Sequence, residues 1–216
     1  MWGESECIGF GSAEFYISEI KKDLANSIIK KNHYSKKVYR ATYINLGVFY
    51  KSILKGVLQY GYAMNPASCS NIVKGTALNE YLELNRMWLD DDCIQYAESQ
   101  AISYSIKYIK KKFKKIKWIQ SFADERCGGF GIVYQACSFD YFGEHNSVFY
   151  EFEDEVYHKS IITDSRKNKK EELISKGFLE KAVEMNLRQF RYIKFIDIRE
   201  KKNCLLKQQP YPKHYK

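Results

Sequence analysis

The segment 96–113 carries the most regular pattern in the sequence, and it limits the folds that the chain can adopt. Its apolar residues recur every three or four positions, which is the spacing of one helix face: Ile102, Ile106, Ile109 and Phe113. The lysines of this segment, at positions 107 and 110–112, fall mainly off the stripe. Strand-like apolar runs stand on both sides of the helix, at 81–89 and 117–122. Because the stripe has to be buried against another element, we expect a sheet that includes these runs.

The rest of the chain predicts further strands and shorter helices. Apolar runs predict strands at 14–20, 41–50, 54–64, 139–142, 148–152 and 190–198, and the short linker after residue 50 predicts a hairpin. Helical spacing predicts helices at 22–33, 129–137 and 171–185, and residues 165–170 form a polar break. The face of the last helix consists of Ile174, Phe178, Ala182 and Met185. This order predicts an α/β (α+β) fold with a mixed, mostly antiparallel sheet flanked by helices.

The composition fits one globular domain. The 216 residues are 45% hydrophobic and 28% charged, with 3 prolines and 12 glycines, which excludes wholesale disorder and collagen-like repeats. Since no apolar run approaches the roughly 18 residues of a membrane helix and the first residues lack a signal pattern, we expect a cytosolic protein. The 6 cysteines form no C-x-x-C pair and no zinc-spaced cluster, so we expect reduced thiols.

The net charge of +9 is concentrated at one end of the chain. Residues 1–165 contain 20 lysines and arginines against 20 acidic residues, whereas residues 166–216 contain 15 against 6. We therefore divide the single domain, 1–216, into a core at 12–160 and a basic extension at 166–216. An uncompensated basic segment favours a polyanionic partner, nucleic acid before a membrane surface; a solvated tail without a partner is the alternative. The candidate phosphate contacts are Arg188, Arg191, Lys194, Arg199, Lys201 and Lys202.

Three short segments carry residues that could do chemistry. His33 and Tyr34 close the first predicted helix, where a histidine can move protons or bind a metal and a tyrosine offers a phenol; a helix-terminal histidine beside a packing tyrosine is the alternative. Arg86 interrupts an apolar strand, so it needs an acidic or anionic partner, and Asp124 is a candidate within the protein. Ser99, near the start of the long helix, either caps that helix or lies at an anion-binding amide end.

The densest cluster of candidate residues lies at 121–136. The predicted strand delivers Ser121 and Asp124 to its C-terminal end, where open sheets form ligand crevices. Glycines at positions 128, 129 and 131 permit a tight turn and the close approach of a substrate. Tyr134 stands about one turn into the next helix. Asp124 could act as a base or a metal ligand, or could pair with an arginine such as Arg126.

The order of elements resembles the Gcn5-related N-acetyltransferase fold. In that fold the pyrophosphate of coenzyme A binds backbone amides of a glycine-bearing loop, where the fourth strand enters the long helix, and a tyrosine placed like Tyr134 often serves as general acid. The corresponding loop here, 90–99, has no glycine and begins with three aspartates. The missing close-approach residues and the repulsion between like charges both oppose a dianion. We therefore expect no acetyl-coenzyme A at this loop.

Several longer motifs together resemble the phage Mom family. They are His33-Tyr34-Ser35, Leu84-Asn85-Arg86-Met87, AESQAI at 97–102, S-x-A-D-x-R-x-G-x-x-G-x-x-Y-x-A at 121–136, FRYI at 190–193 and PYPK at 210–213. The match extends in order from about residue 14 to residue 213, which is nearly the whole chain.

The resemblance implies an anti-restriction enzyme with an acetyltransferase-like catalytic core at 12–160. Such an enzyme converts adenine in double-stranded DNA to an N6-carbamoylmethyl (acetamido) form, and reaching a paired amine requires extrusion of the base. The active site that the resemblance implies consists of His33, Tyr34, Arg86, Ser99, Asp124 and Tyr134. Iron is a candidate cofactor, with His33, Tyr34 and Asp124 as its ligands. The donor of the transferred group is not identified.

The expected partner is double-stranded DNA, in the cytoplasm of a bacterial host, and a homodimer is compatible with the sequence. Two other functions stay open from the residues alone. One is an acyl-coenzyme A-dependent N-acetyltransferase that acts on a protein or a small amine. The other is a non-catalytic protein that protects DNA by binding it.

Overall fold

A computed structural model gives the fold and describes residues 9–127, 129–159 and 168–213. The strands in these ranges are β1 Phe10–Gly11, β2 Phe15–Glu19, β3 Thr42–Tyr50, β4 Ile53–Gly61, β5 Tyr81–Leu89, β6 Trp118–Asp124, β7 Asp140–Phe152, β8 Glu155–His158 and β9 Val183–Phe195. The α-helices are α1 Lys22–Asn32, α2 Ala97–Lys112, α3 Ile132–Ala136, α4 Asn168–Ser175 and α5 Phe178–Lys181. Short 3-10 helices occur at Pro66–Asn71, Leu78–Glu80, Glu125–Cys127 and Ile198–Asn203.

The strands form one sheet in the order β1-β2-β3-β4-β5-β6-β9-β7-β8. Neighbouring strands are antiparallel except β5 and β6, which are parallel. A parallel pair needs a crossover connection, and α2 supplies it. The predicted mixed, mostly antiparallel sheet with flanking helices is therefore confirmed.

The helices cover both faces of this sheet. α2 lies on one face, where its Ile102 is fully buried in a core that includes Leu58 of β4 and Ile119 of β6. α1 lies on the opposite face, where Ile29 packs against Val57. Burying side chains of this size contributes about 1.5–3 kcal/mol each, so the apolar stripe of α2 holds the helix against the sheet.

The sequence predicted most elements within a few residues, and the differences lie in the last third of the chain. The strands predicted at 139–142 and 148–152 are one strand, β7, because pairing with β9 resumes after a register shift between Tyr141 and Glu144. The helix predicted at 171–185 is also wrong, since Gly177 (φ 81°) separates α4 from α5 and Met185 already lies in β9. Residues 165–167 of the predicted polar break lie outside the described residues, whereas 168–170 begin α4.

The basic C-terminal segment is built into the sheet. β9 pairs with β6 on one side and with β7 on the other, and the chain after it forms isolated bridges from Cys204 to Val73 and from Gln209 to Tyr141. The segment 166–216 therefore supplies an interior strand. Four cysteines are free thiols: Cys69, Cys93, Cys137 and Cys204; Cys7 lies outside the described residues. None of the helices in the described ranges is long and apolar enough to cross a membrane.

Candidate active site

The sheet opens between β5 and β6. The two strands pair only over three residues, ending at Glu83 opposite Gln120, although each continues further. A hydrogen bond from Ser121 Oγ to Leu84 O, 3.3 Å long, ties the strands together where they begin to diverge. Beyond it the strands no longer pair with each other, and the gap leaves room for a ligand between them.

A β-bulge in β5 lies beside this gap. Two consecutive residues of β4, Gln59 and Tyr60, pair with Arg86 and Leu84, so Asn85 is the extra residue. Side chains alternate between faces in a regular strand, and the alternation would place Leu84 and Arg86 together. The bulge places Leu84 in the core under α2 and turns Arg86 to the α1 side with Gln59. A charged side chain thereby leaves the apolar core and lines the gap.

Two cavities meet at the gap, one on each face of the sheet. The α2-face cavity has a volume of about 540 Å³ and the α1-face cavity a volume of about 630 Å³. The residues that line both cavities are Tyr34, Leu84, Asn85, Arg86, Phe122 and Asp124. The two cavities therefore adjoin at the residues where β5 and β6 diverge.

The structure brings all of the predicted catalytic residues together. The side chains that line the α2-face cavity include His33, Tyr34, Arg86, Ser99, Asp124 and Tyr134. They come from the end of α1, the middle of β5, the first turn of α2, the end of β6 and the middle of α3. Small residues of the loop before α3 and of α3 itself, Gly129, Gly131 and Ala136, line the same cavity.

Asp124 is held by Arg126. The Arg126 Nε donates to both carboxylate oxygens at 3.0 and 3.1 Å, and Nη2 donates to Oδ2 at 2.5 Å. The backbone N–H of Arg126 also donates to Oδ1 at 3.0 Å. Tyr34 Oη donates to Oδ2 at 3.4 Å, and the Arg126 guanidinium lies 5.0 Å from the Tyr34 ring centroid. Asp124 is 7% exposed, and the paired arginine fixes the direction of its carboxylate.

Arg86 does not pair with Asp124, which corrects that alternative. Its Nε donates to Lys37 O at 3.1 Å and its Nη1 donates to Asn85 O at 2.6 Å. Its guanidinium also lies 5.7 Å from the Tyr39 ring centroid. Burial lowers the pKa of Arg86, and nearby Tyr34, Glu83 and Tyr39 oppose that effect. The backbone carbonyls therefore fix the plane of a cation at the junction of the two cavities.

His33 is buried and neutral. It is the C-cap of α1, as predicted, and it is 6% exposed. Its pKa is lowered to about 4, first by burial and then by the positive charges of Arg86 and Arg126, while Asp124 opposes the shift. The backbone N–H of Ser35 donates to Nδ1 at 3.1 Å, so the neutral ring is assigned its proton on Nε2. The imidazole lies against Tyr34, with ring centroids 4.2 Å apart.

Ser99 lies in the first turn of α2, and the interpretation of this residue as the N-cap is wrong. The helix begins at Ala97, and its N-cap is Tyr96, which has a φ of 63° and makes no side-chain cap. Ser99 Oγ donates to Tyr96 O at 3.0 Å. In the loop before the helix, Asp90 forms an ion pair with Lys55 at 3.0 Å, and this hydrogen bond lowers the pKa of Asp90. The acidic loop is thus partly neutralised within the protein.

Tyr134 is buried where α3 packs on β9. Its ring lies 5.4 Å from that of Tyr192 and 5.6 Å from that of Phe139. The helix is preceded by Gly131, which has a φ of 78°. A Cβ at this position would lie 2.5 Å from the Tyr192 ring. Gly131 is therefore required both by its backbone conformation and by the close approach of Tyr192. The glycine pattern suggested the tight turn, whereas the group that approaches Gly131 is a side chain of the protein and not the expected substrate.

The α1-face cavity has a polar floor that the sequence reasoning missed. Glu83 Oε1 accepts a hydrogen bond from Asn85 Nδ2 at 3.0 Å, and Oε2 accepts one from Gln120 Nε2 at 2.7 Å. Burial raises the pKa of Glu83 to about 6, although the two amides and nearby Arg191 and Arg86 lower it. The signal that singled out Arg86, a polar residue inside an apolar strand, was also present at Glu83 and Gln120.

The sequence matches the family model described as the Mom protein family over residues 14–213. The chain belongs to the Mom family. Methylcarbamoylase mom of Escherichia phage Mu is 43% identical to it over 213 residues, which cover 97% of this chain and 88% of the relative. The ribosomal-protein-S5-alanine acetyltransferase from Vibrio fischeri superposes with a TM-score of 0.53 at 13% identity, over 89% of this chain and 98% of that chain. This likeness shows that the Mom-family chain has an acetyltransferase-like fold.

The basic residues predicted to contact DNA have different surroundings in this Mom-family protein. Some are engaged in ion pairs: Arg188 with Glu125, Arg199 with Asp197 and Lys201 with Asp140. Lys194 Nζ donates to the carbonyls of Cys137 and Ser138. Arg191, on the same strand, lines the α1-face cavity, and Lys202 is exposed. Contact between these residues and DNA stays a prediction.

The residues predicted to bind iron do not fit an iron site as they are arranged. Non-haem iron is typically held by two imidazoles and a carboxylate. Here His33 has its proton on Nε2 while Nδ1 accepts from Ser35, and both oxygens of Asp124 accept from Arg126. The described residues contain no group of three His, Cys, Asp or Glu side chains that could hold a metal ion. Iron in this Mom-family protein stays a prediction, and it would require Arg126 to release Asp124.

Proposed function

We propose that this Mom-family protein transfers a carbamoylmethyl group to N6 of adenine in double-stranded DNA, and that the modified base protects phage DNA from host restriction endonucleases. One observation carries the proposal. The residues that the family resemblance selected, scattered from position 33 to position 134, all line one cavity. The chain that places them there is 43% identical to a protein named methylcarbamoylase mom.

The reaction requires an acceptor for a proton of the adenine amine. The amine nitrogen forms a bond to the methylene carbon of the transferred group, the bond from that carbon to the donor's leaving group breaks, and one amine proton is lost. Asp124 is suited to accept the hydrogen bond of that amine, and then its proton, because Arg126 fixes the carboxylate in a site that excludes most water. The Tyr34 hydroxyl lies 3.4 Å from Oδ2, so its hydrogen bond can adjust when the Asp124 carboxylate takes up the proton.

Arg86 is suited to stabilise the negative charge that develops on the leaving group. Its Nε and Nη1 donate hydrogen bonds to backbone carbonyls. Its Nη2 donates none to the residues that the structure describes. A preorganised cation in a site with little water stabilises developing charge more than it would in bulk water. His33, neutral at physiological pH, adds no charge of its own next to this arginine.

The substrate is an adenine that has left the duplex, because the N6 amine is otherwise paired. Extrusion costs a few kcal/mol, which binding of the base must offset. We propose that the donor is not coenzyme A, since the loop before α2 has no glycine and carries three aspartates, one of them paired with Lys55. We place the activity in the cytoplasm of the bacterial host; a homodimer stays a prediction.

The test is expression of the chain in bacteria, followed by digestion of purified plasmid to nucleosides and mass spectrometry. We expect a deoxyadenosine whose mass has increased by one carbamoylmethyl group in place of a hydrogen. The Asp124→Asn variant, whose folding is checked by thermal melting, should lack it. Plasmid stripped of protein should remain resistant to restriction. Loss of resistance on stripping would indicate protection by occupancy, and an acetylated protein or amine without altered DNA would indicate an acetyltransferase.

A further inference from the structure

We propose that the α1-face cavity receives the extruded adenine nucleotide of the target strand, that Arg191 binds the nucleotide there, and that Glu83 and Gln120 position Arg191. The transferred group then arrives from the α2-face cavity, and the two substrates meet at the gap between β5 and β6. The inference rests on the proposed function and assigns the place of the DNA substrate within it.

The two cavities differ in the charges of the residues that line them. Among the described residues that line it, the α1-face cavity has Arg86, Arg126 and Arg191 against Glu83 and Asp124. The described lining of the α2-face cavity has one of these arginines, Arg86, against Asp124 and Glu98. An extruded nucleotide remains attached to its own phosphates, so it is attracted to the cavity with the excess of arginines. The aspartates at 90–92, in the loop that leads to α2, oppose an approach from the other face.

Arg191 has unused capacity to bind a ligand. It is half-buried, and its guanidinium lies 4.9 Å from the Phe122 ring centroid. In the described part of the chain, the hydrogen bond recorded for this side chain is a long one, 3.4 Å from Nη1 to Gln120 Oε1. A guanidinium has five N–H donors in a planar fork that suits phosphate oxygens or the acceptors of a base. A partly desolvated arginine on a cavity wall is suited to bind a phosphate oxygen or the acceptors of a base.

Glu83 determines which end of Gln120 faces Arg191. Because both carboxylate oxygens of Glu83 accept hydrogen bonds, the Gln120 amide must direct its Nε2 to Glu83 and its Oε1 to Arg191. In a Glu83→Gln variant the new amide can donate to Gln120 Oε1. Gln120 would then turn and present N–H groups to Arg191, donor against donor. Glu83 is thus a positioning residue that acts through Gln120, and its replacement should disturb Arg191 with little change in volume.

The first experiment measures the preference for an adenine that needs no extrusion. Two duplexes, one fully paired and one with a single unpaired adenine, are titrated with protein at one salt concentration and followed by fluorescence anisotropy. The wild type should bind the second duplex at least about tenfold more tightly, because the unpairing cost of a few kcal/mol is removed. Arg191→Met should reduce this ratio to within about twofold, since the nucleotide loses its charged partner. Glu83→Gln should also reduce the ratio of the two affinities.

A matched control removes the same charge elsewhere. Lys202→Met changes an exposed lysine of the 3-10 helix after β9. If this residue contacts phosphates, its loss weakens binding of both duplexes equally and leaves the ratio unchanged. The proposal is overturned if the wild type shows no preference, or if Arg191→Met leaves the ratio intact and instead weakens both duplexes as Lys202→Met does. A guanine or cytosine in the unpaired position should give a smaller ratio than adenine.

A second experiment needs no variant, so it decides the question even if Arg191→Met does not fold. An 8-azidoadenine is placed at the unpaired position, cross-linked to the wild-type protein by light, and mapped by peptide mass spectrometry. We expect labelling of segments that line only the α1-face cavity, at 63–72 or 145–149. Labelling of segments that line only the α2-face cavity, at 96–99 or 129–136, would overturn the proposal. Wild-type modification of plasmid DNA is measured separately: its absence refutes the proposed function, whereas labelling of the wrong face refutes only this inference.

Discussion

Replacement of His33 should remove a large part of the dependence of stability on acid. The ring is buried beside two arginines, so the folded protein keeps it neutral down to a pKa of about 4, whereas its ordinary value is 6.5. Between these values the unfolded chain binds a proton that the folded protein does not. The histidine therefore costs nothing above pH 6.5 and lowers the free energy of unfolding progressively as the pH falls toward 4.

The size of this effect follows from the same two pKa values. Their difference corresponds to about 3 kcal/mol of unfolding free energy at the acid end. Glu83 also titrates in this range, since burial raises its pKa to about 6, and desolvation lowers the pKa of the exposed His145. The quantity to compare is therefore the difference between wild type and variant at each pH, in which these contributions cancel when the variant leaves them unchanged.

The assay is urea denaturation of the wild type and of His33→Asn at intervals between about pH 7 and pH 4. Asparagine suits this purpose because its Oδ1 can accept the hydrogen bond that Ser35 N–H donates to Nδ1, and it does not titrate. The variant should be less stable near pH 7, where a buried ring is lost, and the two stabilities should converge as the pH falls. Parallel curves for the two proteins would refute the reasoning, because they would mean that His33 binds its proton equally in the folded and unfolded chains.

Three further predictions follow from the site. Arg126→Met should lower the free energy of unfolding by roughly 3 kcal/mol in urea denaturation and abolish the adduct, because it removes the guanidinium that pairs with the buried Asp124 carboxylate; Arg199→Met, at an exposed pair, should change the stability much less. Gly131→Ala should destabilise the protein more than Gly75→Ala, since both have a φ of 78° but a Cβ is obstructed only at the first; equal losses would contradict the steric argument. If the ion pair between Arg126 and Asp124 persists during the reaction, extensive dialysis against a chelator should leave the adduct yield unchanged. If dialysis instead abolishes the activity and added iron restores it, the ion pair must open.

The sequence was sufficient to predict the sheet and the long helix, and the family resemblance selected residues that line one cavity. The helix stripe and the strand at 81–89 rest on local periodicity, which burial on one face imposes. One error arose where two periodicities overlap. Residues 183–188 alternate apolar and polar side chains, which is a strand pattern, whereas the helical spacing that begins at Ile174 also reaches Met185. The pairing of β9 with β7 shows that the strand pattern is the correct one. Gly143 (φ 90°) lies at the register shift within β7, directly after the residue at which the first of the two predicted strands ends.

The hydrogen-bond partners of the site residues were harder to predict from the sequence than the site residues themselves. Arg126 follows Asp124 by two residues, and the sequence named it among the candidates, because a short loop can bring such neighbours together. The partner of Arg86 could not be predicted in this way, since it is the carbonyl of Lys37, in the loop after α1. Backbone acceptors carry no signature in the side-chain sequence. The orientation of Arg86 depends on that loop as well as on its own strand.

The gap between β5 and β6 begins beside the bulge at Asn85. In an unbulged strand the alternation that buries Leu84 under α2 would bury Arg86 there too, and the strand would have to expel one of them. The extra residue lets Leu84 remain in the core while Arg86 faces the opening, at the point where Gln120 ends the pairing with β6. A single inserted residue thus places a cation between two cavities that open on opposite faces. Transfer between two substrates needs such a meeting point, and the sheet supplies it without a separate domain.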